Sequence, residues 1–151
     1  MSAFADTSFL FGIYFARAAS PRATSYLQAA SGPVRISTLV RYEYIQGVWF
    51  EVWRRKNGDL RGITEIQAQN ALAAFELDVE LGIWEIHAPS LPSIIARAET
   101  LTLLHTVRHG ARSLDLLHLA TALETGSREF LTFDEAQARI AQAEGLEILM
   151  A

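Results

Sequence analysis

Short apolar runs alternate along the chain with longer segments in which apolar side chains recur at helical spacing. Short runs bounded by turn residues are typical of buried strands, and a spacing of about three to four residues is typical of helices. We predict strands at 2–6, 32–38, 83–89, 129–133 and 146–150. We predict helices at 7–18, 20–31, 39–56, 64–81, 93–110, 113–126 and 134–145.

Capping and turn residues mark the ends of several predicted helices. Pro21 suits the first position of a helix, and Thr64 is a candidate N-cap. Gly82 and Gly110 are expected to end the helices before them, because glycine readily adopts the left-handed conformation that follows a helix.

The alternation of strands and helices favours one fold class. Strands joined through helices pair in parallel, and right-handed crossovers place helices on both faces of the sheet. We predict an α/β protein, a three-layer α/β/α sandwich around a five-stranded parallel sheet. The segment 48–80 would add an extended helical hairpin, and residues 1–151 would form a single domain.

Composition restricts the chemistry that the chain can perform. It has no cysteine, which excludes disulfides, thiol catalysis and cysteine-ligated metals, and which is compatible with a reducing cytoplasm. The apolar N-terminus lacks a basic leading region, and no uncharged apolar run reaches the ~18 residues of a membrane span. We therefore expect a cytoplasmic protein with no membrane contact.

The formal charge of −4 argues against a broadly basic face for nucleic acid. The net charge does not show how the charges are distributed, however. If four of the 17 acids belong to a metal site, the 13 that remain match the 13 lysines and arginines. The rest of the molecule would then be neutral, with room for local basic patches.

Acidic residues follow the predicted strands or open the helices after them. Asp6 follows the first strand and Asp134 the fourth. Glu43 lies one turn into the helix after the second strand, and Asp115 lies in the first turn of 113–126. In a parallel sheet these positions share the carboxyl edge, where α/β proteins place their sites. The four carboxylates are therefore candidate members of one site.

Helix capping is a second explanation for three of these acids. Asp6 and Asp134 are typical N-caps, and Asp115 suits the positive end of a helix. Asp134 also forms a capping-box pattern with Gln137. Glu43 fits capping less well, because its helical row is otherwise apolar and a buried carboxylate there needs a partner.

The donor set indicates which metal such a site would take. Clustered carboxylates raise one another's pKa, whereas a divalent cation favours their ionised form. Oxygen-only ligands suit Mg²⁺ or Mn²⁺ better than zinc, and such ions can activate water in phosphoryl displacement. Ser8 and Thr132, each two residues from an acid, would hold a water or orient a carboxylate. Strand propensity and capping hydrogen bonds explain these two hydroxyls equally well.

Four segments resemble a known family in order and spacing: "ADTSFL", "STLVRYE", "SLDLLHLATAL" and "EFLTFD". They are similar to the motifs of PIN-domain ribonucleases, and among these to the VapC-type toxins of toxin–antitoxin pairs. The resemblance spans nearly the whole chain and implies an α/β/α fold and a Mg²⁺- or Mn²⁺-dependent endoribonuclease. It also implies an RNA substrate, a homodimer and a cognate antitoxin that docks a peptide segment across the active site.

The resemblance assigns roles to particular residues. It implies that four acids are the metal ligands and catalytic residues: Asp6, Glu43, Asp115 and Asp134. Ser8 and Thr132 match the polar positions that accompany them.

Several cations are candidate contacts for RNA phosphates. Arg112 precedes the acidic helix, and the turn after the aromatic-rich helix contains Arg54, Arg55 and Lys56. Cationic side chains neutralise phosphates, but cations near a helix C-terminus are also favoured by the helix dipole alone.

Histidine and tryptophan side chains have less specific predictions. His118 lies three residues after Asp115 on the same helical face, so it could approach the site, although we expect a packed, hydrogen-bonded histidine. Trp49 and Trp53 are predicted to lie in the core or on a dimer or antitoxin surface.

Other α/β functions fail on particular residues. A dinucleotide-binding fold would need a glycine-rich loop where "DTSFLFG" stands, and no P-loop is present. A haloacid-dehalogenase-like phosphatase would need an aspartate in place of Ser8, and a receiver domain would need a late lysine, whereas Lys56 is the only lysine. Two alternatives stay open: a PIN-fold nuclease acting in RNA processing or on DNA, and a non-catalytic protein-binding module.

Overall fold

The centre of the molecule is an all-parallel, five-stranded sheet with strand order β3-β2-β1-β4-β5. The computed structural model describes residues 2–17 and 20–149. The strands are β1 (Ala3–Ala5), β2 (Val34–Ser37), β3 (Trp84–His87), β4 (Glu129–Leu131) and β5 (Glu147–Leu149). The predicted α/β class and five-stranded parallel sheet are confirmed. Two predicted element ends, at Ala18 and Met150, lie outside the described residues.

Helices flank the sheet in the three-layer arrangement that the alternation predicted. They are α1 (Thr7–Tyr14), α2 (Ser20–Ala29), α3 (Thr38–Lys56), α4 (Glu65–Glu80), α5 (Leu91–Leu101), α6 (Val107–His109), α7 (Ser113–Glu124) and α8 (Glu135–Ala143). Thr64 caps α4 within a capping box, as predicted from the sequence. Gly82 and Gly110 follow α4 and α6 with positive φ angles of 74° and 68°.

The pairing of β1 with β4 brings the segments that follow these two strands together. In the parallel register, Phe4 of β1 pairs with Phe130 of β4, and their rings stack with centroids 6.1 Å apart. The Asp6 backbone N–H donates to the Leu131 carbonyl at 3.1 Å, which extends this pairing past the end of β1. The residues after β1 and β4 are therefore neighbours at the carboxyl edge of the sheet.

The first helix is shorter than its periodicity predicts. The prediction ran to residue 18, but α1 ends at Tyr14 and Phe15 is extended. The Ser20 hydroxyl accepts a hydrogen bond from the Arg17 N–H at 2.9 Å and donates to the Phe15 carbonyl at 2.8 Å. These bonds satisfy backbone groups that a further helical turn would otherwise have used, so the chain turns here.

The helix predicted over 93–110 is interrupted. It begins two residues earlier, at Leu91, with Pro92 in its first turn. A π-helical turn, Thr102–Thr106, separates α5 from α6. Apolar periodicity does not encode such a local change in the hydrogen-bonding ring.

The predicted helical hairpin is formed by α3 and α4. Val48 and Val52 of α3 and Phe75 of α4 are buried. Trp49 and Trp53 are 41% and 56% exposed, so these rings do not lie in the core. Their contact with a dimer partner or an antitoxin stays a prediction. Within residues 2–17 and 20–149, no helix is both long and apolar enough to cross a membrane.

Candidate active site

A cleft of about 560 Å³ opens at the carboxyl edge of the sheet. Its lining includes all four predicted acids: Asp6, Glu43, Asp115 and Asp134. Ser8 and Arg112, also predicted, line the same cleft. The topology therefore gathers carboxylates that are up to 128 positions apart in sequence into one concave site.

Asp6 is the most deeply buried of these acids, with 1% of its surface exposed. It caps α1, because its Oδ1 accepts from the Phe9 N–H at 3.0 Å. The Ser8 hydroxyl donates to the same oxygen at 2.7 Å, and the Thr132 hydroxyl donates to Oδ2 at 2.7 Å. Burial raises the pKa of Asp6 above its ordinary value, and the hydrogen bonds from Thr132, Ser8 and Phe9 only partly oppose that rise.

The two predicted hydroxyls are tied into the carboxylate framework. Thr132 Oγ1 accepts from the Asp134 N–H at 3.0 Å while donating to Asp6. Ser8 Oγ accepts from the Phe133 N–H at 2.8 Å while donating to Asp6. Both hydroxyls therefore orient Asp6 and connect it to the loop after β4, which favours orienting a carboxylate over strand propensity alone.

Asp134 acts as the N-cap of α8, and its Oδ1 accepts from the Gln137 N–H at 2.8 Å. The capping box expected with Gln137 is only half formed, because the Gln137 side chain does not return to Asp134. It points instead into the cleft, where Nε2 lies 3.0 Å from Asp6 Oδ2 and 3.3 Å from Asp115 Oδ1. The second half of the box is missing because the Asp134 N–H donates to Thr132 Oγ1 instead, and the Gln137 amide is held by the two carboxylates.

Asp115 lies in the first turn of α7 and is 8% exposed. Its Oδ2 accepts from the Arg112 backbone N–H at 3.1 Å, and Arg112 Nε lies 3.4 Å from the same oxygen. Arg112 therefore lies beside an acid of the cleft, and its contact with an RNA phosphate stays a prediction. Most of the Arg112 side chain is exposed, so its charge faces solvent at the mouth of the cleft.

Glu43 is held by two residues from different helices. The Thr7 hydroxyl donates to Glu43 Oε2, and His118 Nε2 lies 2.6 Å from the same oxygen. Burial alone would raise the pKa of Glu43, but the hydrogen bonds from His118 and Thr7 outweigh it and lower that pKa. His118 is buried, as expected of a packed histidine, and its partner is a carboxylate of the site.

The predicted cations separate into two groups. Arg112 lines the cleft, whereas Arg54, Arg55 and Lys56 do not. Arg54 pairs with Glu51 and Asp59, and Lys56 pairs with Glu65. Arg55 donates to the carbonyls of Leu60 and Gly62, both at 3.2 Å. These three side chains stabilise the turn between α3 and α4, and their contact with RNA stays a prediction.

Thr7, Arg17 and Gln137 also line the cleft, although the sequence did not single them out as members of the site. The Arg17 guanidinium lies 5.1 Å from the centroid of the Phe11 ring and adds a second cation to the cleft lining. Thr7 lies beside Asp6 in "DTS", so its position was a usable signal. The Gln137 side chain had a plausible capping role, which concealed its role in the cleft.

The donor set of the cleft fits a hard divalent cation in its chemistry. All four acids offer oxygen, and among the described residues that line the cleft there is neither a cysteine nor a histidine. In the part of the chain that the structure describes, no three His, Asp or Glu side chains are close enough to hold a metal ion as they stand. The Gln137 amide lies between two of these acids and donates to both Asp6 and Asp115.

The fold and the cleft together define a class: an α/β protein with an acidic site at the carboxyl edge of a parallel sheet. The family model described as "PIN domain" matches residues 3–143, and the chain therefore belongs to the PIN-domain family. No curated protein sequence matches the chain.

Solved structures of VapC-type proteins share the fold. A toxin from Mycobacterium tuberculosis, VapC20, described as a sarcin–ricin loop cleaving toxin, is 19% identical with a TM-score of 0.66, over 91% of this chain and 94% of that one. VapBC2 from Rickettsia felis, bound to a promoter DNA fragment, is 17% identical with a TM-score of 0.64, over 99% and 98%. A toxin–antitoxin complex from Klebsiella pneumoniae is 22% identical with a TM-score of 0.58, over 88% and 87%.

Proposed function

We propose that this protein is a metal-dependent endoribonuclease that acts as the toxin of a toxin–antitoxin pair. The observation that carries the proposal is the convergence of Asp6, Glu43, Asp115 and Asp134 on one cleft in a PIN-domain chain. The similarity of its fold to VapC20 and to toxin–antitoxin complexes supports the toxin assignment. RNA is the substrate, and the cytoplasm is the place of action.

Four residues would hold Mg²⁺ or Mn²⁺. Asp6, Asp115 and Asp134 would be the principal ligands, and Glu43 would complete the site directly or through water. When bound, such an ion favours ionised carboxylates, lowers the pKa of a coordinated water and neutralises charge that develops on a phosphate.

The chain's own side chains position the reacting groups. Glu43 is kept ionised by His118 and Thr7, so it is an acceptor that can orient an attacking water. Arg17 and Arg112 flank the acids and are available to contact the phosphates on either side of the scissile bond. Water attacks the phosphorus in line and the bond to O3′ breaks. The products are a 5′-phosphate and a 3′-hydroxyl.

Two protein partners belong to this proposal. A cognate antitoxin would lie across the cleft, whose wall includes Phe50. The Phe50 ring stacks on the Trp53 ring with centroids 5.3 Å apart, so an apolar surface continues from the cleft along α3. A second copy of the chain would form a homodimer, supported by exposed Leu103 and Val107 at the α5–α6 end.

The test is cleavage of a structured RNA with Mg²⁺ or Mn²⁺ by the wild type, Asp6→Asn and Asp115→Asn. Each substitution removes a ligand charge, so we expect at least a ~100-fold loss, since even outer-shell partners of a metal commonly account for 10–100-fold. Glu99→Gln, an exposed acid on α5, is the control and should cleave like the wild type.

Three other results would identify a different function. Equal activity in the wild type and both site variants would contradict the assignment. Metal-dependent cleavage of DNA or of a ribosomal RNA precursor in preference to other RNA would favour the processing nuclease. Failure to bind Mn²⁺ in calorimetry would favour the non-catalytic binding module.

A further inference from the structure

Gln137 lines the cleft, and its side chain contacts two of the proposed ligands at once. It projects from α8 and is 4% exposed. Its Nε2 donates to Asp6 Oδ2 at 3.0 Å and to Asp115 Oδ1 at 3.3 Å. Each of the two amide hydrogens thus has a carboxylate as its partner, and the partial positive charge of the NH₂ group lies between two acids.

The other end of the same amide is unsatisfied. Gln137 Oε1 is buried, and no hydrogen-bond partner for it exists among residues 2–17 and 20–149. A buried acceptor without a partner is costly, and such groups in folded proteins call for an explanation. Here the two carboxylates orient the amide group so that its NH₂ is bonded and its carbonyl oxygen has no partner.

Asp6 has no spare acceptor capacity in this arrangement. A carboxylate offers roughly four acceptor positions. Asp6 uses them for the Phe9 N–H, the Ser8 and Thr132 hydroxyls and the Gln137 amide. A cation that binds Asp6 must therefore displace one of these donors.

Gln137 is the donor that can leave most readily. The Phe9 N–H belongs to the backbone of α1, and the Ser8 and Thr132 hydroxyls are each held by a second hydrogen bond from the backbone after β4. The Gln137 amide lies at the end of a side chain with three rotatable bonds. Both of its hydrogen bonds end on proposed ligands, so one side-chain rotation releases both.

We propose that the Gln137 amide stands in for the cation in the metal-free protein and competes with it. The amide partly neutralises Asp6 and Asp115 until a divalent ion enters, and it then swings out of the space between them. This inference rests on the proposed metal-dependent function. It makes Gln137 a positioning residue that tunes how tightly the site binds its ion.

Removing the competitor should raise metal affinity and lower the stability of the metal-free protein. Gln137→Met keeps the length of the side chain but donates no hydrogen bond, and the backbone N–H that Asp134 caps is retained. We expect Mn²⁺ to bind on the order of tenfold more tightly in calorimetry, which corresponds to about 1.4 kcal/mol. We expect the melting temperature without metal to fall, and the rise on adding saturating Mn²⁺ to be larger than in the wild type.

Gln142→Met is the matched control, because Gln142 is an exposed residue of the same helix. It should bind Mn²⁺ and melt like the wild type. In the wild-type protein itself, the side-chain amide hydrogens of Gln137 should exchange slowly with solvent without metal. Adding Mg²⁺, which is diamagnetic, should speed that exchange in NMR spectra. This measurement tests the inference even where Gln137→Met does not fold.

The possible results distinguish a failure of this inference from a failure of the proposed metal-dependent function. If the wild type binds Mn²⁺ and cleaves RNA while Gln137→Met binds with equal or lower affinity, the amide is a ligand or a purely structural group and the inference is wrong. Amide hydrogens whose exchange is unchanged by Mg²⁺ would overturn it as well. If neither protein binds Mn²⁺, both the inference and the proposed metal dependence fail.

Discussion

Two carboxylates of the cleft differ in what surrounds them, and their pKa values shift in opposite directions. Asp6 is buried, and burial raises its pKa in spite of its hydrogen bonds. Glu43 is partly exposed, and its hydrogen bonds to His118 and Thr7 overcome the effect of burial and lower its pKa. The cleft thus combines an acid that resists ionisation without a cation and an acid that is ionised readily.

Replacing His118 should return the pKa of Glu43 toward its ordinary value of 4.5. His118→Leu removes the largest of the contacts that lower it, so the midpoint of the Glu43 carboxyl in a ¹³C NMR titration should rise. Because the folded-state pKa is depressed, Glu43 stabilises the fold above its unfolded pKa and loses that contribution as the pH falls through the folded value. His118→Leu should therefore reduce the loss of stability in acid.

A parallel His109→Leu protein, altered in α6 outside the cleft, should leave the Glu43 midpoint unchanged. An unchanged midpoint in His118→Leu would show that this histidine does not control Glu43.

Asp134 carries two roles that a single substitution can separate. Asn is about as good an N-cap as Asp, so Asp134→Asn should keep the hydrogen bond to the Gln137 N–H and melt close to the wild type. It should lose metal-dependent RNA cleavage, because a ligand charge is gone. Cleavage at the wild-type rate would leave Asp134 as a helix cap alone.

The α3–α4 hairpin depends on a close approach of backbone at its turn. A Cβ on Gly62 would lie 2.6 Å from the Arg55 backbone nitrogen and closer still to the Glu51 carbonyl oxygen. These are backbone atoms, which cannot move aside as easily as the end of a flexible side chain. The hairpin that the sequence predicted therefore owes its tight turn to a glycine that the pattern of apolar residues does not single out.

Gly62→Ala should destabilise the protein by about 1–3 kcal/mol, the usual cost of forcing an extra carbon into a packed site. Urea denaturation measures the change in the free energy of unfolding. Gly32→Ala is the matched control, because a Cβ there meets no atom within 4 Å and its φ is not positive. Similar stability for the two variants would contradict the close approach.

At the scale of the whole molecule, exposed apolar side chains predict self-association. Leu103, Leu104 and Val107 protrude together from the α5–α6 end. Val107→Arg places a charge on that surface, so the proposed dimer should become a monomer in sedimentation velocity. Leu60→Arg, which alters an exposed leucine between α3 and α4, should leave the dimer intact. A monomeric wild type, or dissociation by both variants, would refute this assignment of the interface.

Most of the fold could be predicted because it depends on signals that are local in sequence. Apolar runs gave the parallel sheet, and Thr64 and Gly82 fixed the ends of α4. The misses lie where hydrogen bonds override periodicity. Ser20 ends α1 early through bonds to its neighbours, and the π-helical turn at Thr102–Thr106 leaves no trace in the apolar spacing.

The sequence by itself determined the elements and which acids follow them, because hydrophobic periodicity and strand-end positions are properties of neighbouring residues. Only the tertiary structure decided how those acids are held. Gln137 turns away from its local cap toward Asp6 and Asp115, and His118 meets Glu43 from another helix. In each case a side chain contacts a residue that is distant in sequence instead of a near neighbour. Which contact forms depends on distances in space, and the sequence alone does not give those distances.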